Sequence, residues 1–507
     1  MKKDKGFLNR MSLTAFAVLS QLFWTAVFIL QLSEYYMFAN IALVVLSLFV
    51  VVYIINGRSN PSVKLAWIVP IMIFPLFGGL AYLFFGTKKP MKKITTAISS
   101  QEEKTKSLIP GCKGLLNDIK AEDIHIYSQL EYIKRMGFPV YKDTAAKYFP
   151  LGENYFESLL EDLKNAKEFI FMEYFIIAEG KMWNSIFDVL KDKAKGGVEV
   201  RVMYDDVGCI NTLPSDFKAT LKNAGIKCQA FNHFVPVLSI VANNRDHRKI
   251  AVIDGNIAYT GGVNIADEYI NEKERFGHWK DTGVRLEGRA VWGFTHMFLN
   301  IWNAFDKSDE DISIFMPRIK AESDGYVVPY GDSPLDNEIF AENVYINIIN
   351  NAVEYVYIFT PYLIIDTQTI TSITLAAKRG VDIRIMVPGI PDKRQAYELA
   401  RSHYPELIEN GVKIYEYTPG FIHAKSFVAD DNIAVVGTIN LDYRSLYHHF
   451  ECGCIFYKSG IIDDIKRDFL STAAKSELVE DPKTKYKITG AIQSIYYAFL
   501  RLFAPLL

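Results

Sequence analysis

Two stretches of this sequence carry the same residue types at the same offsets. The first reads His247-Arg-Lys249-Ile-Ala-Val-Ile-Asp254 and continues to Gly261 and Asn264. The second reads His423-Ala-Lys425-Ser-Phe-Val-Ala-Asp430 and continues to Gly437 and Asn440. Histidine serves as a nucleophile or a proton carrier near neutral pH. Lysine brings a compact positive charge to phosphate oxygens, and asparagine adds a neutral donor. Brought face to face, two such units surround one anionic phosphodiester. One histidine attacks phosphorus, the other protonates the departing alkoxide, and the lysines stabilise the pentacoordinate transition state. Losing one donor of this type costs about 3 kcal/mol, roughly a hundredfold in rate. A charged lysine has no lone pair and repels a cation, so the pattern predicts chemistry without a metal or cofactor. A lone His-x-Lys would be read as a histidine satisfying core hydrogen bonds. Two full copies at one spacing carry the catalytic reading.

The spacing also predicts how the residues are held. Residues two apart on a strand share a face, so His247 projects with Lys249 and His423 with Lys425. Asp254 and Asp430 complete the catalytic motif, but alternation puts each on the face opposite its histidine, at a turn. Bracing is therefore their expected part. Gly261 and Gly437 permit an unusual bend or a close approach. Asn264 and Asn440 then fall near the end of a return strand as phosphate-binding donors.

The motifs sit in a larger internal repeat. A helical stripe at Tyr155, Phe156, Leu159, Leu160 and Leu163 precedes the apolar run 169–177, and a second helix leads to Gly-Val-Glu-Val-Arg-Val at 197–202. The order recurs at 352–360 and at Gly-Val-Asp-Ile-Arg-Ile, 380–385. Such βαβ units predict an α/β fold, present twice, with a substantially parallel sheet. The expected division is an apolar anchor over 1–86, a helical connector over 87–140, a first lobe over 141–305, a connector over 306–337, a second lobe over 338–480 and an apolar tail over 481–507.

Three apolar runs, 13–32, 37–55 and 65–85, each approach the length of a bilayer crossing. No small-residue cleavage site follows the first, which argues against a signal peptide. Lys2, Lys3, Lys5 and Arg10 place the N-terminus in the cytoplasm by the positive-inside rule. Pro70, Pro75, Gly78 and Gly79 interrupt the third run, which is expected to be kinked, re-entrant or interfacial, with the lobes cytoplasmic. A formal charge of −2 gives no support for nucleic-acid binding. Five scattered cysteines form neither a zinc pattern nor a disulfide framework. The apolar stretch 235–241, including Leu238 and Ile240, occurs only in the first copy and is a candidate lipid contact.

The paired motifs resemble the HKD motifs of the phospholipase D superfamily, and the chain as a whole resembles bacterial cardiolipin synthases. That resemblance extends over Asn-Pro-Ser-Val-Lys-Leu-Ala-Trp (60–67), the stretch 259–269, His-Trp-Lys-Asp-Thr (278–282) and the C-terminal Arg-Leu-Phe-Ala-Pro-Leu-Leu. It implies two pseudo-twofold-related lobes with mixed sheets flanked by helices, preceded by N-terminal transmembrane or apolar helices. It implies that a carboxylate beyond each histidine orients the imidazole, for which Asp281 and Glu451 fall at matching positions. It further implies a covalent phosphohistidine, with His247 as nucleophile and His423 as acid then base. The reaction would pass phosphatidyl from one phosphatidylglycerol to another, releasing glycerol, at a bacterial membrane holding a multi-pass protein. Hydrolysis by the same intermediate, a nuclease of the superfamily and an inactive lipid-binding scaffold are the rival readings.

Overall fold

The computed structural model describes residues 19–20, 22–23, 26, 36–86, 92–111, 113–231, 244–336, 338–482 and 490–506. Most of the first apolar run and all of 235–241 lie outside the described residues. The chain divides into two compact units. One comprises Met1–Lys92, Phe234–Asn244 and Ala491–Leu507, and the other Lys93–His233 and Arg245–Gly490.

In the first unit a helix spans Tyr36–Asn56 with no acidic or basic side chain in its 21 residues. The third apolar run is not one straight helix. Helix Pro61–Ile73 ends at Phe74, and Pro75 opens the next, Pro75–Ala81, at a position where its missing N–H is harmless. Gly78 then packs so closely on the first of these helices that an added Cβ would lie 2.6 Å from the Ile71 Cα. The C-terminal helix Ala491–Phe503, read from sequence as part of a separate tail, packs on Pro61–Ile73. Among the described residues no helix is long and apolar enough to cross a membrane, and Tyr36–Asn56 comes nearest.

The second unit is α/β, with two sheets of matching plan. The first half supplies β1 (Thr144–Phe149), β2 (Phe169–Tyr174), β3 (Glu199–Asp205), β4 (Lys227–Phe231), β5 (Arg245–Asp246), β6 (Lys249–Ile253), β7 (Ile257–Gly261), β8 (His278–Lys280) and β9 (Gly283–Gly288). The second half supplies β10 (Tyr326–Asp332), β11 (Tyr355–Phe359), β12 (Asp382–Pro388), β13 (Lys413–Tyr417), β14 (Gly420–Ile422), β15 (Ser426–Ala429), β16 (Ile433–Gly437), β17 (His449–Tyr457) and β18 (Glu477–Leu478). The orders are β1-β9-β7-β6-β2-β3-β4 and β10-β17-β16-β15-β11-β12-β13-β18.

Both sheets are mixed, as the family resemblance implies, which corrects the substantially parallel sheet expected from the βαβ pattern alone. Along the two main strand orders only β2-β3-β4 and β11-β12-β13 run parallel. The motif strands pair antiparallel with their neighbours because a tight turn, not a crossover helix, joins β6 to β7 and β15 to β16. Both faces of each sheet are covered, so β2 and β11 are buried along their whole length and read as continuous apolar runs. One core joins the halves. It runs from Phe171, Val252 and Val284 through Phe294, Phe298 and Trp302 of helix Val291–Asp306 to Phe359, Val428 and Phe456.

Two short parallel pairings pass between the halves and set the site. β5 pairs with the start of β17, Arg245 opposite His449 and Asp246 opposite Phe450. β14 pairs with β8, Phe421 opposite Trp279 and Ile422 opposite Lys280.

Candidate active site

Each motif histidine follows one of these crossing pairs. The His247 N–H donates to the Phe450 carbonyl at 2.9 Å, and the His423 N–H to the Lys280 carbonyl at 2.8 Å. Lys280 is itself tied across the halves by its buried ammonium, 2.8 Å from Asp468. The backbone N–H of both motif histidines is therefore held by the opposite half.

The side chains cross in the same way. His247 Nδ1 lies 2.8 and 2.9 Å from the two oxygens of Glu451, and His423 Nδ1 lies 2.7 Å from Asp281 Oδ2. Expecting each carboxylate to serve the histidine of its own copy is corrected here. Asp281 and Glu451 orient imidazoles, but each serves the other copy, because β14–β8 and β5–β17 exchange the two segments. Both carboxylates are fully buried. Asp281 also accepts the Thr282 N–H, and the Thr438 hydroxyl donates to Glu451.

Burial pulls the His247 imidazole down to about 3, against the attraction of Glu451, and pulls His423 well below its ordinary value, helped by Lys425 and Lys249. Burial pushes Glu451 up, but His247 and then His449 outweigh it and hold the group below the carboxylate range. Burial raises Asp281 to about 7 against the charge of Lys425. In both pairs the carboxylate meets Nδ1, so Nε2 is the ring nitrogen that it leaves unengaged.

Lys249 and Lys425 are buried, and each ammonium donates to the carbonyl of its own histidine, Lys249 at 2.7 Å. Burial lowers Lys249 to about 8 and Lys425 to about 7, opposed chiefly by Glu451 and Asp281 respectively. Lys249 bears on His423 and Asp281 as well as on His247, so the two motifs share one electrostatic field.

Asp254 and Asp430 stand apart from this cluster, which corrects their grouping with the catalytic residues. Asp254 accepts the N–H groups of Lys167, Glu168 and Phe169 at 2.9, 2.7 and 3.0 Å. Asp430 does the same for Val353, Glu354 and Tyr355 at 2.7, 2.9 and 2.8 Å. Both have positive φ, 53° and 51°, a turn conformation that aspartate tolerates better than most residues. They fasten the motif turn to the start of β2 and β11.

The asparagines are partly committed to the protein. Asn264 Oδ1 accepts the Ile176 N–H at 3.1 Å and its Nδ2 donates to the Tyr269 hydroxyl at 2.7 Å, leaving one of two amide N–H groups. Asn440 is buried with its Oδ1 unpaired. Gly261 and Gly437 both mark close approach: an added Cβ would meet the Thr282 carbonyl at 2.4 Å and the Cys452 carbonyl at 2.5 Å.

Four neighbours escaped the sequence reading. The Phe175 ring meets His247 edge-on at 4.9 Å, and Tyr269 meets His423 edge-on at 5.3 Å. Trp279 lies 5.5 Å from His423, and His449 lies 5.5 Å from His247. Trp279 and His449 each stand two residues before an orienting carboxylate, a signal that aligning the two copies on Asp281 and Glu451 would have exposed. His247, His449 and Glu451 also bring three ligand atoms within 4.8 Å of one another.

Comparison with known proteins agrees with this geometry. A family model described as cardiolipin synthase, PLD-like domain, matches residues 159–276 and 345–472, one motif in each, and a phospholipase D-nuclease N-terminal model matches 45–86. An uncharacterized protein of Streptococcus mutans is 44% identical over 465 residues, 90% of this chain and 99% of its own length. The cardiolipin synthase of Listeria monocytogenes serotype 4a is 32% identical over 438 residues, 84% of this chain and 90% of its own. Cardiolipin synthase 2 of Bacillus anthracis is 33% identical over 459 residues, 89% of this chain and 88% of its own. Among solved structures, phosphatidylserine synthase of Haemophilus influenzae superposes with a TM-score of 0.55 at 13% identity, over 71% of this chain and 95% of that one, a likeness of fold. With both motifs inside the matched domains and full-length relatives above 30% identity, the chain belongs to the cardiolipin synthase family of phospholipase D-like proteins.

Proposed function

We propose that this protein is a cardiolipin synthase, transferring phosphatidyl from one phosphatidylglycerol to the free hydroxyl of another. The observation that carries the reading is the pair of crossed, buried imidazole–carboxylate contacts, His247–Glu451 and His423–Asp281, with a lysine beside each. His247 Nε2 attacks phosphorus. The phosphorus–oxygen bond to glycerol breaks, and His423, favoured in its protonated form once the anionic phosphodiester is bound, gives its Nε2 proton to the leaving alkoxide. The phosphatidyl group is then held on His247. The hydroxyl of the second phosphatidylglycerol loses its proton to His423 and attacks phosphorus, and the His247–phosphorus bond breaks as cardiolipin forms. One phosphodiester is exchanged for another, so the reaction needs no nucleotide. Lys249, Lys425 and the remaining amide donors of Asn264 and Asn440 stabilise the charge on the equatorial oxygens.

Both substrates are lipids, so the site has to work at a bilayer. The N-terminal unit is suited to reach one. Phe38, Phe49 and Tyr53 of helix Tyr36–Asn56 are 66%, 70% and 69% exposed, a surface that fits lipid better than water. The test is to incubate the purified full chain with labelled phosphatidylglycerol in vesicles, beside His247→Ala and His423→Ala. Cardiolipin and glycerol from the wild type alone are expected. Phosphatidic acid without cardiolipin would make water the acceptor, and no turnover would refute the substrate assignment.

A further inference from the structure

The two halves of the site are built alike with one difference in ring chemistry. On the His423 side, Trp279 stands two residues before Asp281, its ring centroid 5.5 Å from that of His423 at 44°. The registers of β14–β8 and β5–β17 put His449 in the matching place on the other side. It stands two residues before Glu451, 5.5 Å and 42° from His247. An indole offers no lone pair in its plane, whereas an imidazole does. His449 is 11% exposed, its Nδ1 makes no hydrogen bond, and that atom lies 3.8 Å from Glu451 Oε1.

We propose that His247, His449 and Glu451 form a site for a divalent transition-metal ion of the zinc class, and that an ion held there switches the transfer chemistry off. Two imidazoles and one carboxylate are a donor set that zinc takes in His₂Glu sites, and the three ligand atoms already lie within 4.8 Å of one another. The Thr438 hydroxyl donates to Glu451 and orients it, as outer partners do for metal-binding carboxylates. Magnesium and calcium prefer oxygen donors and suit this set poorly. Lys249 and Lys425 are nearby cations that oppose binding, and Glu451, the one anionic ligand, acts on both and offsets them in part. The ion is an inhibitor, not a cofactor, because it takes a nitrogen of His247 and the carboxylate that orients that ring. The His423 half, with Trp279 in the third position, cannot do the same.

Only the inhibitory half of the inference rests on the proposed transfer reaction, since metal binding is read without substrate. The full chain in detergent is titrated with Co²⁺ alone, followed by its visible absorption, and with Zn²⁺ against a chromophoric chelator. His449→Asn and His449→Trp, the latter restoring the residue of the other half, are run beside the wild type with thermal melts. The wild type is expected to bind one ion in the micromolar range or tighter, and both variants at least about tenfold more weakly. Zinc should inhibit wild-type transfer reversibly by chelator, and about tenfold more zinc should be needed for either variant. Equal cobalt or zinc binding by wild type and His449→Asn overturns the site. Equal zinc inhibition of the two overturns the switch. If His449→Trp fails to fold, the smaller His449→Asn gives the same comparison.

Discussion

Replacing Glu451 by glutamine should slow the attack by His247, although the two residues belong to different halves of the chain. The size of the effect follows from the contact. His247 Nδ1 meets both carboxylate oxygens at 2.8 and 2.9 Å, and the carboxylate is fully buried. A hydrogen bond to a charged group contributes about 1.5–3 kcal/mol, which corresponds to about 10–150-fold in rate. Phosphatidyl-p-nitrophenol separates the two histidines, because its phenolate leaves without needing a proton from His423. In rapid mixing, the burst of p-nitrophenolate then reports the attack on phosphorus alone. Glu451→Gln should slow that burst about 10–150-fold. Asp281→Asn should leave it within about threefold but slow the later transfer to phosphatidylglycerol by the larger factor. His247→Ala must abolish the burst for the comparison to stand. If it does, and Asp281→Asn rather than Glu451→Gln slows the burst, the crossed pairing is refuted.

Three further outcomes follow from the same geometry. Burial holds free Lys425 at about 7 and Lys249 at about 8. A bound dianion raises both, so a proton is taken up on binding. Tungstate should therefore bind fully below about pH 7, weaken up to tenfold per pH unit above it, and fall more steeply above about pH 8. Inhibition constants between pH 6 and 9 test this, and a flat profile would sink it. Asp254→Ala removes three backbone hydrogen bonds to a carboxylate and should cost about 3 kcal/mol of stability, while the folded fraction keeps its activity within about threefold. Thermal melts and activity per folded molecule check it, and activity lost without a stability change would return Asp254 to the chemistry. In Gly262→Ala the new Cβ would lie 1.9 Å from Asp281 Oδ1 and 2.8 Å from the His423 carbonyl, so this one methyl should cost at least about tenfold in transfer rate. Wild-type kinetics in that variant would mean Asp281 can move without consequence.

What could be read from sequence was what is local. The histidine, lysine, aspartate, glycine and asparagine of each motif lie on one strand–turn–strand unit, whose alternation and turn chemistry are written in consecutive residues. Hence the bracing of Asp254 and Asp430 and the close packing at Gly261 and Gly437 were legible. The carboxylates were legible as positions but not as partners. Sequence offset favours pairing within a copy, and the crossing depends on β5–β17 and β14–β8, pairings of two and three residues without a pattern of their own. The parallel-sheet expectation erred for a related reason. The βαβ signal comes from β2-β3-β4 and β11-β12-β13, while antiparallel pairs, of which β6–β7 and β15–β16 are joined by tight turns, make up the rest of each sheet's main order. His449 was hidden because a histidine in an aromatic-rich strand has no motif until the copies are superposed on their carboxylates.

The differences between the copies also fit together as pairs. The first has Gly262 where the second has Thr438, and Asp281 where the second has Glu451. Both positions follow the return strand and lie against the segment bearing the carboxylate: the Gly262 N–H donates to the Thr282 carbonyl and the Thr438 N–H to the Cys452 carbonyl, each at 2.9 Å. The absence of a side chain at Gly262 leaves room for Asp281, whereas Thr438 donates its hydroxyl to the longer glutamate. Each carboxylate is thus supported from its own half and spent on the histidine of the other. Neither half holds an oriented imidazole by itself. Docking the halves is therefore a chemical requirement as well as a structural one, and a substitution that loosens β5–β17 or β14–β8 should lower transfer before it unfolds either sheet.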